Sequence, residues 1–326
     1  MRYLGIDIGG ANTKIASSDG TIVELHYLPL WKDTTLPQTL KDIAKRLKPD
    51  MVGVVITGEL ADCFEDKLHG LKFIMQAVED AFGWKVCYIG TGGDIHRHSN
   101  ELRNLAAANW AASSRLIGEE IGDCIFVDVG STTSDIIPIV NAKHVASTTD
   151  FKRLLASELA YMGTLRTNLA ALVNKVELKQ GTCRVSSELF TTTGDVYLLL
   201  GDIMPETYTC ATADGAGKSR LETMRRLARL VCADLEEISE DDVMEIAHQV
   251  KEKQISLLVE AISIVSEKHG IHRIVAAGIG EFMIIEAAGR LGMECISVAD
   301  KWGKDISDVF PAYAAAWMIE RNAELR

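Results

Sequence analysis

The chain reads as an α/β protein built from two duplicated lobes that face each other over a ligand cleft. Three observations predict this. A short apolar strand, Tyr3-Leu4-Gly5-Ile6, runs into Asp7-Ile8-Gly9-Gly10-Ala11-Asn12-Thr13-Lys14. The pattern returns where Ile125-Phe126-Val127 runs into Asp128-Val129-Gly130-Ser131-Thr132-Thr133-Ser134-Asp135. Asp7 matches Asp128, Gly9 matches Gly130 and Thr13 matches Ser134, all at an offset of 121 (128 minus 7). That offset is too long for a solenoid repeat and fits duplication of a whole domain. Around both turns, short apolar runs alternate with helical patterns, as βαβ units require.

The first block covers residues 1–117. Met51-Val52-Gly53-Val54-Val55-Ile56 ends at Thr57-Gly58, and Lys85–Ile89 ends at Gly90; both read as buried strands. Helices are expected over 71–82 and 103–117. The second of these contains Ala106-Ala107-Ala108-Asn109-Trp110-Ala111-Ala112, small residues that allow close packing. The second block covers 122–307 and opens with the strand at 125–129, returned by Ile136–Val140. Residues 150–175 and 218–269 read as mainly helical, with Ser239 and Asp242 as a capping box. The Thr-, Gly- and Asp-rich stretch 182–214 has no period and reads as loops and short strands. A mainly helical insertion at about 150–270 is therefore expected in the second lobe. The chain then returns to α/β with Ile274-Val275-Ala276-Ala277, the turn Gly278-Ile279-Gly280-Glu281, a helix through Arg290 and a strand at 294–298. A small-residue helix within 308–326, Pro311–Trp317, is expected to complete the first lobe.

Bulk properties narrow the function classes. The 326 residues suffice for about two domains. A net charge of −12 lacks the basic footprint of a nucleic-acid binder. An acidic protein that takes an anionic ligand needs local compensation from a metal ion or backbone N–H groups. The seven cysteines are odd in number, scattered and without a Cys-x-x-Cys pair, which points to reduced thiols rather than disulfides or zinc. The chain enters a strand at once, so no signal peptide is expected. No apolar run approaches about 18 residues, so no membrane span is expected. A cytoplasmic enzyme of small-molecule substrates fits these features, and self-association into a homo-oligomer stays open.

Five segments carry a family resemblance, in order along nearly the whole chain. Asp7–Lys14, Leu105–Ala112, Asp128–Asp135, Ala276–Glu281 and Ala312–Trp317 resemble the first phosphate, first connecting-helix, second phosphate, adenosine and second connecting-helix motifs of the actin-like ATPase superfamily. Sugar kinases, acetate kinase and the 70-kDa chaperones belong to it. The resemblance implies two ribonuclease H-like lobes. More narrowly, Asp7–Lys14, Ile56-Thr57-Gly58-Glu59-Leu60, Ala106–Trp110 and Asp128–Asp135 are similar to the hydantoinase/oxoprolinase-related branch. Within it the likeness is to a group linked to the one-carbon metabolism of methanogens and methylotrophs, which includes condensing enzymes of methanofuran biosynthesis. The resemblance implies a transferase that works without ATP. An aminomethylfuran-methyl diphosphate would alkylate the phenol of γ-glutamyltyramine and release pyrophosphate. The adenosine-like loop, with Gly278 and Gly280, is less glycine-rich than in many kinases. Two other readings remain: an ATP-dependent small-molecule kinase, which would use Gly278 and Gly280 for nucleotide, and a non-catalytic nucleotide- or metabolite-binding protein.

The candidate site residues follow from the turns. Backbone N–H groups in such turns form an anion-binding concavity. Asp7 and Asp128 end buried strands, where an unpaired carboxylate is costly. They either cap the next turn or hold Mg²⁺ beside a diphosphate, and the second is favoured here. Gly9, Gly10 and Gly130 permit close backbone approach. Asn12, Thr13, Ser131, Thr132 and Thr133 can donate to phosphate oxygens. Lys14 either neutralises leaving-group charge or faces solvent. Asp135 orders Lys14 or the metal shell, or is an ordinary strand-end acid. Glu59 and Asp62 follow a strand, where ligands of open α/β sheets sit. One of them deprotonates the attacking phenol, or both serve the next helix as N-terminal acids. Asp94-Ile95-His96-Arg97-His98 has a metal-like composition without an obvious third ligand. Lys218, Arg220, Arg225 and Arg226 read as a solvated helix face or, alternatively, as cations that close on phosphate.

Overall fold

The computed structural model describes residues 1–32, 35–97 and 102–324. The first lobe contains β1 (Tyr3–Gly9), β2 (Asn12–Ser17), β3 (Val23–Tyr27), α1 (Leu36–Leu47), β4 (Met51–Thr57), α2 (Lys67–Phe82), β5 (Val86–Ile89), β6 (Ile95–His96) and α3 (Asn109–Glu120). Its strands run in the order β3-β2-β1-β4-β5-β6. β1 and β2 form an antiparallel hairpin, whereas β4 and β5 join in parallel.

The second lobe starts with β7 (Cys124–Val129), β8 (Ser134–Val140), β9 (Lys143–His144), α4 (Asp150–Leu155), β10 (Leu159–Ala160), β11 (Lys175–Leu178) and β12 (Gly181–Arg184). The helices α5 (Thr193–Leu200), α6 (Arg220–Arg229) and α7 (Glu240–His269) follow. The chain then forms β13 (Arg273–Ala277), α8 (Glu281–Leu291), β14 (Glu294–Ser297), α9 (Val298–Trp302), α10 (Lys304–Asp308) and α11 (Phe310–Glu324). The five strands β10-β8-β7-β13-β14 of its main sheet repeat the order β3-β2-β1-β4-β5 of the first, while β6 of the first sheet and β9, which pairs with β8, have no counterpart among the described residues. An antiparallel hairpin (β7–β8) carries a third antiparallel strand on one side and two parallel strands on the other. The duplication seen as an offset of 121 is thus a duplication of topology.

Glycine placement explains how α11 returns to the first lobe. A Cβ on Gly5 would lie 1.8 Å from the Ala312 carbonyl oxygen, and one on Gly53 would lie 2.7 Å from that of Ala315. The central strands β1 and β4 therefore receive the α11 backbone at glycine positions, opposite the buried alanines of that helix. One apolar cluster joins the lobes beneath the cleft. It combines Val55 of the first sheet, Phe126 and Val275 of the second, and Trp110, Phe310 and Ala314 of the helices between them.

Four segments differ from the sequence reading. The helix expected over 103–117 starts only at Asn109. Ala106 instead bridges to Ile56 at the end of β4, and Ala107 takes a left-handed conformation at φ 51°. The stretch 150–175 is α-helical only at Asp150–Leu155, with a 3-10 turn at Leu169–Ala171, because Leu159–Ala160 pairs with β8 as a third strand and the following backbone binds the second turn. Inside 182–214 lies α5, started by a capping box of Thr192 and Asp195. Arg226 is not on a solvated face: it is fully buried and bonded to Asp195 at 2.7 Å. The Ser239–Asp242 capping box forms as expected, and α7 ends on Gly270 in a left-handed cap.

Candidate active site

The two hairpin turns face one cavity of about 480 Å³. In β1 and β2, Asp7 stands directly across from Lys14, and in β7 and β8, Asp128 stands across from Asp135. All four line the cavity, as do Gly9, Gly10, Asn12, Gly130, Ser131, Thr132, Thr133, Glu59 and Asp62. Thr13 does not. Side chains alternate along a strand, so Asn12 and Lys14 face the cavity while the Thr13 hydroxyl is buried without a partner. Gly278 and Gly280 also lie outside the cavity lining and pack behind the second turn. A Cβ on Gly278 would meet the Asp128 carboxylate at 2.3 Å, and Gly280 donates its N–H to the Val129 carbonyl at 2.9 Å.

The carboxylates at the strand ends are incompletely satisfied. Asp128 Oδ1 is buried and has no hydrogen-bond partner. Burial pushes the Asp128 carboxyl up to about 7, against the pull of Lys14 and with added repulsion from Asp135 and Asp7. Burial also raises Asp7, although Lys14 and the Thr57 hydroxyl oppose it. Lys14 Nζ lies 3.9 Å from Asp7 Oδ2, and Thr57 donates to Asp7 Oδ1 at 3.3 Å. Two hard oxygen donors, one of them orphaned, suit a divalent cation of the Mg²⁺ class.

Glu59 follows β4 and is 1% exposed. Burial pushes its carboxyl up to about 7, while N–H groups of its own backbone and of Ala107 hold it back. The left-handed turn at Ala107 thus has a local consequence: it brings a backbone donor to Glu59. Asp62 is exposed at the rim.

The second turn is braced from behind. Thr164 N–H donates to the Gly130 carbonyl at 2.9 Å, and Leu165 and Arg166 N–H donate to that of Ser131 at 3.1 and 3.0 Å. Gly163 packs so tightly that a Cβ would lie 2.5 Å from Thr132 N. Its carbonyl accepts from Thr193 Oγ1 at 2.9 Å and Gln254 Nε2 at 3.0 Å. The helical insertion thereby fixes the second turn.

Several residues at the cavity escaped the sequence reading. Arg153 is buried, bonds Asp135, and lies 4.6 Å over the Trp110 ring. Asp135 pairs with Arg153. Arg166, Trp31, Asn109, Asp150 and Tyr161 also line the cavity. Asn109 lies within the first connecting-helix motif, whereas the others stand in stretches without one, so only the fold brings them together. In the Asp94–His98 run, His96 pairs with Asp94 at 2.5 Å, while His98 lies outside the described residues. Among the described residues no helix is long and apolar enough to cross a membrane.

Comparison with known proteins agrees with this architecture. A model of the hydantoinase/oxoprolinase family matches residues 50–322. The chain is 37% identical to the (4-{4-[2-(gamma-L-glutamylamino)ethyl]phenoxymethyl}furan-2-yl)methanamine synthase of Methanocaldococcus jannaschii, over 99% of both chains. It is 39% identical to the Methanococcus vannielii protein of the same name, over 62% of this chain and 94% of that one. Among solved structures, an acetone carboxylase in a nucleotide-free state is similar at TM-score 0.52 and 13% identity, over 94% of this chain and 51% of that one. The ethanolamine utilization protein EutJ from Carboxydothermus hydrogenoformans is similar at TM-score 0.50 and 14% identity, over 97% and 89%. These two likenesses bear on the fold alone. With its paired lobes, matched turns and these relatives, the chain has an actin-like ATPase fold and belongs to the hydantoinase/oxoprolinase family, in the branch that holds the two methanamine synthases.

Proposed function

We propose that this protein is a methanofuran-biosynthesis transferase that joins an aminomethylfuran-methyl diphosphate to the phenol of γ-glutamyltyramine. The name of the two relatives describes a product with a phenoxymethyl link to a furan, the ether that this reaction makes. One observation carries the reading at the level of the site: two Asp-Gly-hydroxyl turns oppose each other across one cavity, with a buried carboxylate at the end of each first strand.

In this scheme the bond between the furan-methyl carbon and the diphosphate oxygen breaks. The electron pair leaves with the pyrophosphate, and the phenol oxygen forms the new bond to carbon. The phenol proton passes to the Glu59 carboxylate. A free phenol titrates near 10, so a base with a pKa near the working pH assists its attack. Lys14 and the hydroxyl and N–H donors of Ser131, Thr132 and Thr133 meet the charge that develops on the leaving group, and such preorganised electrostatics are usually the largest catalytic contribution. Asp7 and Asp128 would hold Mg²⁺, which when bound supplies positive charge to a leaving diphosphate. Among the described residues no three His, Cys, Asp or Glu side chains form a metal cage. A Mg²⁺ held by two carboxylates and completed by water and phosphate fits that count.

The phenol enters between the lobes beside Tyr161 and Leu159. These two residues also line a second, more apolar groove of about 310 Å³ that continues from the cavity. Supplying both substrates without ATP and following pyrophosphate release tests the proposal. Turnover that requires ATP would refute it.

A further inference from the structure

The cavity holds more acid than base. Asp7, Glu59, Asp62, Asp128, Asp135 and Asp150 line it, against Lys14, Arg153 and Arg166. Two of the cations are engaged. Lys14 faces Asp7 at 3.9 Å, and Arg153 is bonded to Asp135 and reaches Asp150 at 3.4 Å. Arg166 has no carboxylate partner among the described residues. Its guanidinium carbon lies 4.5 Å over the Trp31 ring centroid, and Nη1 donates to Thr132 Oγ1 at 3.4 Å. Its backbone N–H is bonded to the Ser131 carbonyl at 3.0 Å.

This placement has two consequences. A guanidinium carries five N–H donors in a planar fork, and among the described residues the Arg166 side chain makes one hydrogen bond, to Thr132. Trp31 belongs to the first lobe and Arg166 to the second, so their stack spans the mouth of the cleft. A second, weaker link runs beside it, where Asn12 Nδ2 donates to Ser131 Oγ at 3.5 Å. The cation–π contact holds the guanidinium over the indole ring, while Nη1 reaches Thr132 on the second turn.

We propose that Arg166 is the binding residue for the outer phosphate of a diphosphate ligand, with Trp31 as the residue that positions it. The inference rests on the diphosphate reading of the site. An arginine suits the task because its fork matches two phosphate oxygens and it stays charged throughout turnover. The same contact couples ligand to lobe closure, since the guanidinium that grips the phosphate is seated on the opposite lobe.

Calorimetric titration of the full chain with inorganic pyrophosphate in the presence of Mg²⁺ tests this, together with steady-state kinetics. Arg166→Ala should weaken pyrophosphate binding about 10- to 100-fold, the range for losing hydrogen bonds to a charged group. It should raise the KM for the diphosphate substrate and leave the KM for the phenol unchanged. Arg166→Lys should recover only part of the loss, because an ammonium lacks the fork. Trp31→Leu should weaken pyrophosphate binding in the same direction by a smaller factor. Wild-type affinity in Arg166→Ala, with wild type itself binding pyrophosphate, would overturn the role of Arg166 and leave the proposed reaction standing. A wild-type chain that takes no pyrophosphate would instead overturn the diphosphate reading, and this role with it.

Discussion

Lys14 and Asp135 occupy the same register position in the two hairpins, each directly across from the strand-end aspartate of its own lobe. The duplication has therefore kept the acids and reversed the charge opposite them. In the first lobe the cavity keeps a cation beside Asp7. In the second, Asp135 is bound by Arg153 and cannot serve Lys14 as its main partner. The cavity therefore has a lysine on the first-lobe side alone of the two matched register positions.

Lys14→Ala should lower kcat by at least about tenfold, since it removes charge that acts on the leaving group. Steady-state kinetics with both substrates varied provide the check. A change confined to the phenol KM would place Lys14 elsewhere in the reaction.

Asp128→Asn should separate activity from stability. The folded state raises the Asp128 pKa from 3.8 to about 7. Between those values the folded chain binds more protons than the unfolded chain, so the group's contribution to stability falls as pH rises and is least favourable above about 7. An asparagine carries no such charge. The variant should melt higher than wild type at about pH 8 without metal, while losing turnover by orders of magnitude. Mg²⁺ with pyrophosphate should raise the wild-type melting temperature and leave that of the variant unmoved. Near-normal turnover in the variant would remove the metal role.

Glu59 should impose a pH dependence of its own. A base raised from 4.5 to about 7 is protonated below that value and active above it. The rate should therefore rise with pH to a plateau beyond about 7, and Glu59→Gln should lose about 10² or more of it. The same shift makes stability fall as pH rises through 7, because ionisation is disfavoured in the folded state. Glu59→Gln should flatten that part of the stability profile. A pH–rate curve unchanged by the substitution would exclude Glu59 as the base.

Gly5→Ala tests the joint between β1 and α11. Its Cβ would lie 1.8 Å from the Ala312 carbonyl, a backbone atom that yields only if the helix moves. Overpacking of this kind costs about 1–3 kcal/mol or more. Chemical denaturation should show that loss, and a wild-type midpoint would mean that α11 sits further from the sheet.

The matched turns were legible in sequence because glycine, acid and hydroxyl spacing is local. Asp7, Lys14, Asp128 and Glu59 could be named from the chain for the same reason, and the structure gathers them around one cavity. The capping box of Ser239 and Asp242 is local too. Thr192 and Asp195 carried the same signal ahead of Val196–Leu200, but it was hidden in a polar stretch without period. Arg166 and Trp31 are 135 residues apart (166 minus 31) and in no motif, so their stack is visible only in three dimensions. Arg226 looked like a surface charge because its partner, Asp195, lies on another helix. The expected helix is broken at Ala106 and Ala107 because the bridge of Ala106 to Ile56 of β4 and the donor of Ala107 to Glu59 outweigh the helix preference of alanine.

The most direct measurement is a phosphorus NMR time course of the purified chain with Mg²⁺, the furan-methyl diphosphate, γ-glutamyltyramine and ATP together. The account predicts that pyrophosphate grows in as the furan diphosphate disappears, while the ATP resonances stay constant. ADP appearing with the furan diphosphate untouched would contradict it and make the protein a kinase or ATPase on the same fold.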